Sequence, residues 1–251
     1  MERKYFLVIA IALISLVFSS CTITINGNGD NNDPKVTVGE TKKEDKAIDI
    51  SGEKELKADL NMGVGKLEVK GSLDKILDAE FIYNVEKWKP EVDYSKTGDK
   101  GNLKISNPEK SFNGMDRSNV KNQWDISLNK DIPLSIDLEA GVGDCSLNLS
   151  DMNLKQLIIE AGVGNIKVDV SGNYKNDVDV KVEGGVGNTT IYVPKNMGVR
   201  VNAEKGVGKI DVDGFKTQGS NTFINDSYEN AKNRMEVDVE AGVGNITIKQ
   251  K

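Results

Sequence analysis

The stretch Leu157–Val170, "LIIEAGVGNIKVDV", decides the fold of this chain. Leu157, Ile159, Ala161 and Val163 recur every second residue, the step then lengthens to three, and Ile166, Val168 and Val170 resume the period of two. A period of two is a strand with one buried face. A single step of three reverses the parity, so a bulge or corner must restore the inward face. The irregular step falls on Gly164 and Asn165. Glycine takes positive φ without a Cβ clash, and Asn or Asp tolerates it best among the others. The stretch therefore reads as strand, Gly-Val-Gly corner, strand.

The same word recurs along the chain. "EAGVGN" stands at 160–165 and again at 240–245, with near copies at 61–66 (NMGVGK), 139–144 (EAGVGD), 183–188 (EGGVGN) and 204–209 (EKGVGK). Ile136, Leu138, Ala140 and Val142, then Cys145, Leu147 and Leu149, repeat the pattern, as do Val237, Val239, Ala241 and Val243, then Ile246 and Ile248. The middle copies are spaced by 21, 23 and 21 residues. A fixed period of that size predicts an all-β, single-stranded, β-helix-like solenoid whose coils bury their faces against neighbours about 4.8 Å away. The last step of 36 predicts an insertion near 214–234. The first step of 78 leaves room for nearly four coils without the glycine signature, in a stretch holding Trp88, Tyr94 and Trp124.

Residues 1–20 read as a signal peptide. Arg3 and Lys4 precede an apolar run, Tyr5–Phe18, too short to span a bilayer. "FSSC" at 18–21 resembles a bacterial lipobox, with Cys21 as the lipidated residue. Acyl chains there make the membrane a partner. Residues 21–46, rich in Asn, Gly and charge, fit a flexible tether. Residues 47–135 form a β-rich N-terminal section, and 136–251 the repeats.

Composition narrows the function. The net charge is −6, and Glu2, Arg3 and Lys4, a net +1, leave with the leader to give −7. An acidic chain argues against nucleic acid as a partner. The absence of histidine removes His-based triads, His metal sites and imidazole switches. Two cysteines make no disulfide framework, and Cys145 sits in an inward slot filled elsewhere by Leu67, Ile166, Ile210 and Ile246. Glycine-rich loops cradle phosphate when they open a helix, whereas here they join strands.

Stacking sets equivalent residues in columns. Glu139, Glu160, Glu183, Glu204 and Glu240 precede their corners by two residues and point outward, with Asn61 in the first copy. Carboxylates about 4.8 Å apart repel by roughly 1 kcal/mol in water. Lys181 can offset part of this at Glu183. The column reads either as a weak cation strip or as a solvated row that discourages aggregation. Asn165 and Asn188 are placed to form an amide ladder. In the insertion, Phe223, Asn225 and Tyr228 form either a recognition loop or a cap on the end of the solenoid.

The repeated "LEAGVGDCSLNLS" and "IEAGVGNIKVDVSG", with "FIYNVEKWKPEVDYS" and "NQWDISLNKDIPLSIDLEAGVG", resemble the toast-rack family of bacterial extracytoplasmic proteins. The resemblance covers 48–251. Related repeats occur in adhesin-like proteins and in the outer domain of membrane proteins tied to the cell-wall stress response. It implies an elongated β-solenoid-like fold, with no established enzymatic activity and no established site; no metal or cofactor is expected. The expected function is a non-catalytic structural or interaction module, lipid-anchored on the outer face of the cell membrane. Its expected partner is a cell-wall or surface glycan or an envelope protein. The alternative is a polysaccharide-binding or polysaccharide-acting enzyme of the β-solenoid type, since paired carboxylates hydrolyse sugars.

Overall fold

The structure is a computed structural model, and it describes residues 38–72, 74–107 and 119–251. Cys21, the leader and the tether up to residue 37 lie outside the described residues. Residues 35–251 form one compact unit.

The described residues are all-β, with a 3₁₀ turn at Glu86–Trp88. Seventeen strands form one sheet, bent along the line of Gly-Val-Gly corners into two arms. Strands β2 (Glu55–Ser72) and β7 (Leu134–Asn148) run through the corner and belong to both arms. In later copies the corner splits the strand in two.

The first arm runs β4 (Glu91–Thr97), β5 (Lys100–Ser106), β2, β7, β8 (Leu154–Val163), β10 (Val178–Val186), β16 (Arg234–Val243) and β12 (Gly198–Val207). It ends in β15 (Thr222–Ile224) and β14 (Lys216–Thr217). The second arm runs β1 (Lys42–Asp49), β3 (Lys75–Tyr83), β6 (Asn122–Asn129), β2, β7, β9 (Ile166–Asp169), β11 (Thr189–Val193), β17 (Ile246–Gln250) and β13 (Ile210–Asp213). From β5 to β12 and from β6 to β13 every pairing is parallel. The strands outside those limits, β4, β1 and β3, and β15 and β14, pair antiparallel. Alternate residues of both arms, from Leu56 to Ile248, fall in one continuous core.

Three features depart from expectation. The first concerns stacking order. Glu183 is in register with Glu240, and Glu240 with Glu204, so the last copy in the chain lies between the copies at 183 and 204. The insertion is the return path that makes this possible. The second concerns the 78-residue step. Gly65 pairs directly with Gly143, and no further coils intervene. The residues between them build β3–β6 on the far side of β2, partly as antiparallel pairs. The third concerns the tether. Lys42–Lys46, placed there by their charge, belong to edge strand β1. Lys42 pairs with Glu86 and Lys43 with Glu80, both at 2.6 Å, so the charge is compatible with a sheet edge.

The second glycine of every copy has φ between 141° and 148°. The conformation alone does not account for its repetition. A Cβ on Gly164 would meet the carbonyl oxygen of Gly143, and one on Gly187 that of Gly164, well inside van der Waals contact. The corners stack backbone on backbone, with no space for any side chain.

A stack needs ends. The first corner has no coil before it, and two buried asparagines take the place of one. Asn107 Oδ1 accepts from the Gly63 amide at 3.2 Å, and Asn122 Nδ2 donates to the Val64 carbonyl at 2.5 Å. Trp124 Nε1 donates to Asn122 Oδ1 at 3.0 Å, holding that amide in place. Trp88 and Trp124 are buried, and Trp124 packs edge-on against Phe81 with ring centroids 5.7 Å apart.

Candidate functional site

The corner presents three parallel rows of side chains to solvent. The first is the carboxylate column. Its register runs Asn61, Glu139, Glu160, Glu183, Glu240, Glu204. Four of these carboxylates, with Asn61 and the first glycines of their copies, line an open groove of about 600 Å³ along the stack. Glu204, on the last coil, lines an adjoining groove of about 110 Å³ with Lys181, Asn202 and Asp238, and Glu183 and Glu240 border both grooves. Asn61 Nδ2 donates to Glu139 Oε2 at 2.5 Å, and Lys181 Nζ lies 2.6 Å from Glu183 Oε1. The hydrogen bond to Glu183, and then its charge, raise the Lys181 pKa. Among the described residues, no three Asp, Glu or Cys side chains converge in a way that would hold one metal ion. The carboxylates are arranged in a row, not around a point.

The second row is the amide ladder. Asn165 donates its backbone and side-chain N–H groups to Asp144 Oδ1 at 2.9 and 3.1 Å. Asn188 does the same to Asn165 Oδ1 at 3.2 and 3.4 Å. Asn245 repeats it on Asn188 at 3.2 and 3.1 Å, and the Lys209 amide closes the ladder on Asn245 Oδ1 at 3.1 Å. The expected pairing of Asn165 with Asn188 is present, within a ladder that runs through five copies. It satisfies donors at the tightest point of each corner, where strand pairing is interrupted.

The third row was missed. Parity assigns Val142, Val163 and Val243 to the core, yet the structure leaves the central valine of five copies exposed. These are Val142, Val163, Val186 and Val243 at 45–48% and Val207 at 66%. The inward slot just before the corner holds Ala140, Ala161, Gly184 and Ala241 in the inner copies. That run of small residues is the signal available in the sequence. The core narrows to nothing there, and the following valine points beyond it. In the first copy the chain covers its own valine, since Val64 packs with Val85, Trp88 and Val120.

The insertion residues are structural in their contacts. Asn225 is buried, donating Nδ2 to the Met197 carbonyl at 2.7 Å and accepting from the Val199 amide at 2.9 Å. Tyr228 is buried, with the guanidinium groups of Arg200 and Arg234 4.7 and 5.2 Å from its ring centre, and its hydroxyl donates to Glu236 at 3.0 Å. Phe223 is half-buried against the core, on a strand paired with β12. These contacts place the segment over the end of the first arm. Cys145 is buried and free, and burial, aided by the charge on Asp144, raises its thiol pKa to about 11. It is therefore not a thiolate at neutral pH.

This architecture can be compared with known proteins. The N-terminal domain of toast_rack matches residues 37–192. The chain belongs to the toast-rack family. Residues 141–248 of this toast-rack chain also match the C-terminal part of LiaF, described as a cell wall-active antibiotics response protein. Protein LiaF of Bacillus subtilis (strain 168) is 26% identical over 113 residues, 43% of this chain and 47% of that protein. The chain thus spans about half the length of this curated relative. The crystal structure of a putative cell adhesion protein from Clostridium sporogenes ATCC 15579 is similar, at 43% identity and a TM-score of 0.81. It matches 84% of this chain and all of its own. A putative adhesin from Bacteroides fragilis NCTC 9343 is 13% identical, covering 83% of this chain and 97% of its own, with a TM-score of 0.30 that adds no weight.

Proposed function

We propose that this toast-rack chain is a cell-envelope lipoprotein, anchored through Cys21, that acts as a non-catalytic interaction module in adhesion or in the response to envelope stress. Its bent parallel strands are read as a β-solenoid with coils of about 21 residues and Gly-Val-Gly corners. The observation that carries the functional reading is repetition. Glu139, Glu160, Glu183 and Glu240 line one side of a groove, with an amide ladder and a valine row running along the same corners. A reaction centre gathers different groups within hydrogen-bond reach of one another. A surface that repeats one set of groups every coil suits an extended partner lying along the stack, such as a cell-wall or surface glycan or an envelope protein. The kinship with LiaF and with the Clostridium sporogenes protein supports an envelope setting.

Two experiments test this. Metabolic labelling with a fatty-acid analogue is expected for the wild type and lost in Cys21→Ala, and equal labelling of both would remove the anchor. A panel of cell-wall and surface glycans, assayed for binding and for product release, is expected to show binding without turnover. Product release abolished by one Asp or Glu substitution would convert the reading to a polysaccharide-acting enzyme.

A further inference from the structure

Three of the four edges of the bent sheet end in antiparallel strands: β4 and β1 at the first-copy end, and β14 beyond β15 on the first arm. The fourth edge is different. The second arm stops at β13, Ile210–Asp213, which pairs in parallel with β17 and, among the described residues, has no strand on its other side. The incompleteness extends to the core. Ile210 and Val212 are only half-buried, whereas their in-register partners Ile246 and Ile248 are fully buried. Val207, at the adjoining corner, is the most exposed valine of its row. The Lys209 carbonyl accepts from the Ile246 amide at 2.9 Å. By alternation along the strand, the N–H and C=O groups of Ile210 and Val212 point away from β17, toward the open side.

From this edge we infer that two copies of the chain associate end to end through β13, paired antiparallel about a two-fold axis at Ile210. The register follows from side-chain chemistry. Directly opposed residues of an antiparallel pair share a face, so an inward residue must oppose an inward residue. Centring the pair on Ile210 sets Ile210 against Ile210 and Lys209, the corner residue that precedes β13, against Asp211, twice. Neither Lys209 nor Asp211 makes an ion pair among the described residues, and both side chains are exposed. Centring it on Asp211 instead would oppose Asp211 to itself, and centring it on Val212 would oppose Asp211 to Asp213. Both place like charges together, which is destabilising.

The other end of the stack argues for a closed dimer over a filament. Asn107 and Asn122 saturate the first corner there, and charged β1, sequence KKEDKAID, forms the second arm's edge. An open end that meets only its own kind closes after two copies.

Residues 35–251 form the compact unit and hold every core residue among the described residues, so this fragment serves for the test. Sedimentation over about micromolar to millimolar concentration is expected to show a monomer–dimer equilibrium and nothing larger. Lys209→Glu and Asp211→Lys should each weaken dimerisation by about tenfold or more, the effect of about 1.4 kcal/mol. The double variant should restore it. Circular dichroism melting of each variant confirms that the fold survives. In a second arm, Ile210→Cys should form a disulfide-linked dimer under mild oxidation, while Asp93→Cys on β4 should not. A monomer across the whole range, a double variant no better than the singles, or equal cross-linking at 93 and 210 would each overturn the inference, as would species larger than a dimer.

Discussion

Gly164→Ala adds one methyl group to the middle of the stack, and the structure says what that methyl must overcome. Gly164 has φ of 146°, where an L residue carries strain of about 1–3 kcal/mol. Its Cβ would also overlap the Gly143 carbonyl oxygen, and that oxygen is backbone, so it cannot rotate aside. Forcing apart a packed interface costs about 1–3 kcal/mol more. The sum is about 2–6 kcal/mol, and a domain of roughly 200 residues loses about 2–4 °C in Tm per kcal/mol. Thermal unfolding should therefore shift by about 10 °C. Three other glycines separate the two causes. Gly98 has φ of 61° and open space around it, so Gly98→Ala reports strain alone. Gly162 lacks a positive φ, but its Cβ would overlap the Gly141 carbonyl, so Gly162→Ala reports the clash alone. Gly219 has neither problem, its nearest atom being 3.9 Å away, and Gly219→Ala should melt like the wild type. If Gly164→Ala melts within a degree of Gly98→Ala, the backbone-on-backbone account of the corners is wrong.

Other expected outcomes follow from buried polar groups and from the cap. Glu53 is buried, and burial alone would raise its pKa. Hydrogen bonds from the Tyr94 hydroxyl at 2.7 Å and from the amide and hydroxyl of Ser51 at 2.6 and 2.8 Å outweigh burial and lower it to about 2. Because the folded pKa lies below the unfolded one, the stabilisation is complete above pH 4.5 and is lost as pH falls toward 2. Urea titrations should show the wild-type advantage over Glu53→Gln shrinking through that window, and an advantage independent of pH would contradict the assignment. Replacing Phe223 and Tyr228 together by Ala should destabilise the domain by about 3–5 kcal/mol, since it strips aromatic packing from the end of the first arm. A double variant with unchanged urea midpoint would show that the insertion does not close the stack.

Much of the corner was legible in sequence because one residue type had one physical reason to be there. The parity flip located the bend, the second glycine marked positive φ, and Asn165 with Asn188 marked the ladder. The order of the copies was not legible. "EAGVGN" at 160–165 and at 240–245 are identical, so either can lie beside 183–188, and in the structure both do. Asn107 and Asn122 belong to no repeat, and nothing in their local sequence announces that they satisfy a corner some 44 and 58 residues away. The exposed valines were misread because alternation counts residues along the strand and does not sense where the core ends. The carboxylate column was found in the right register, but its groove depends on the side-chain-free glycines beside it, which alternation cannot show.

The interleaved last copy has a consequence for how the chain is made. Strands β16 and β17 are the final elements in sequence, yet they stand inside the stack, with β10 and β11 on one side and β12 and β13 on the other. Residues 198–213 therefore have no place on the stack until the C-terminal residues arrive; before that, β12 has only β15 of the insertion to pair with. A nascent chain lacking residues 234–251 does not hold a stack merely one layer shorter; its outermost layer, β12 and β13, is cut off from β10 and β11. Because these pairings join residues 36 apart in sequence, closing the stack waits on a long loop, and such non-local pairing slows folding.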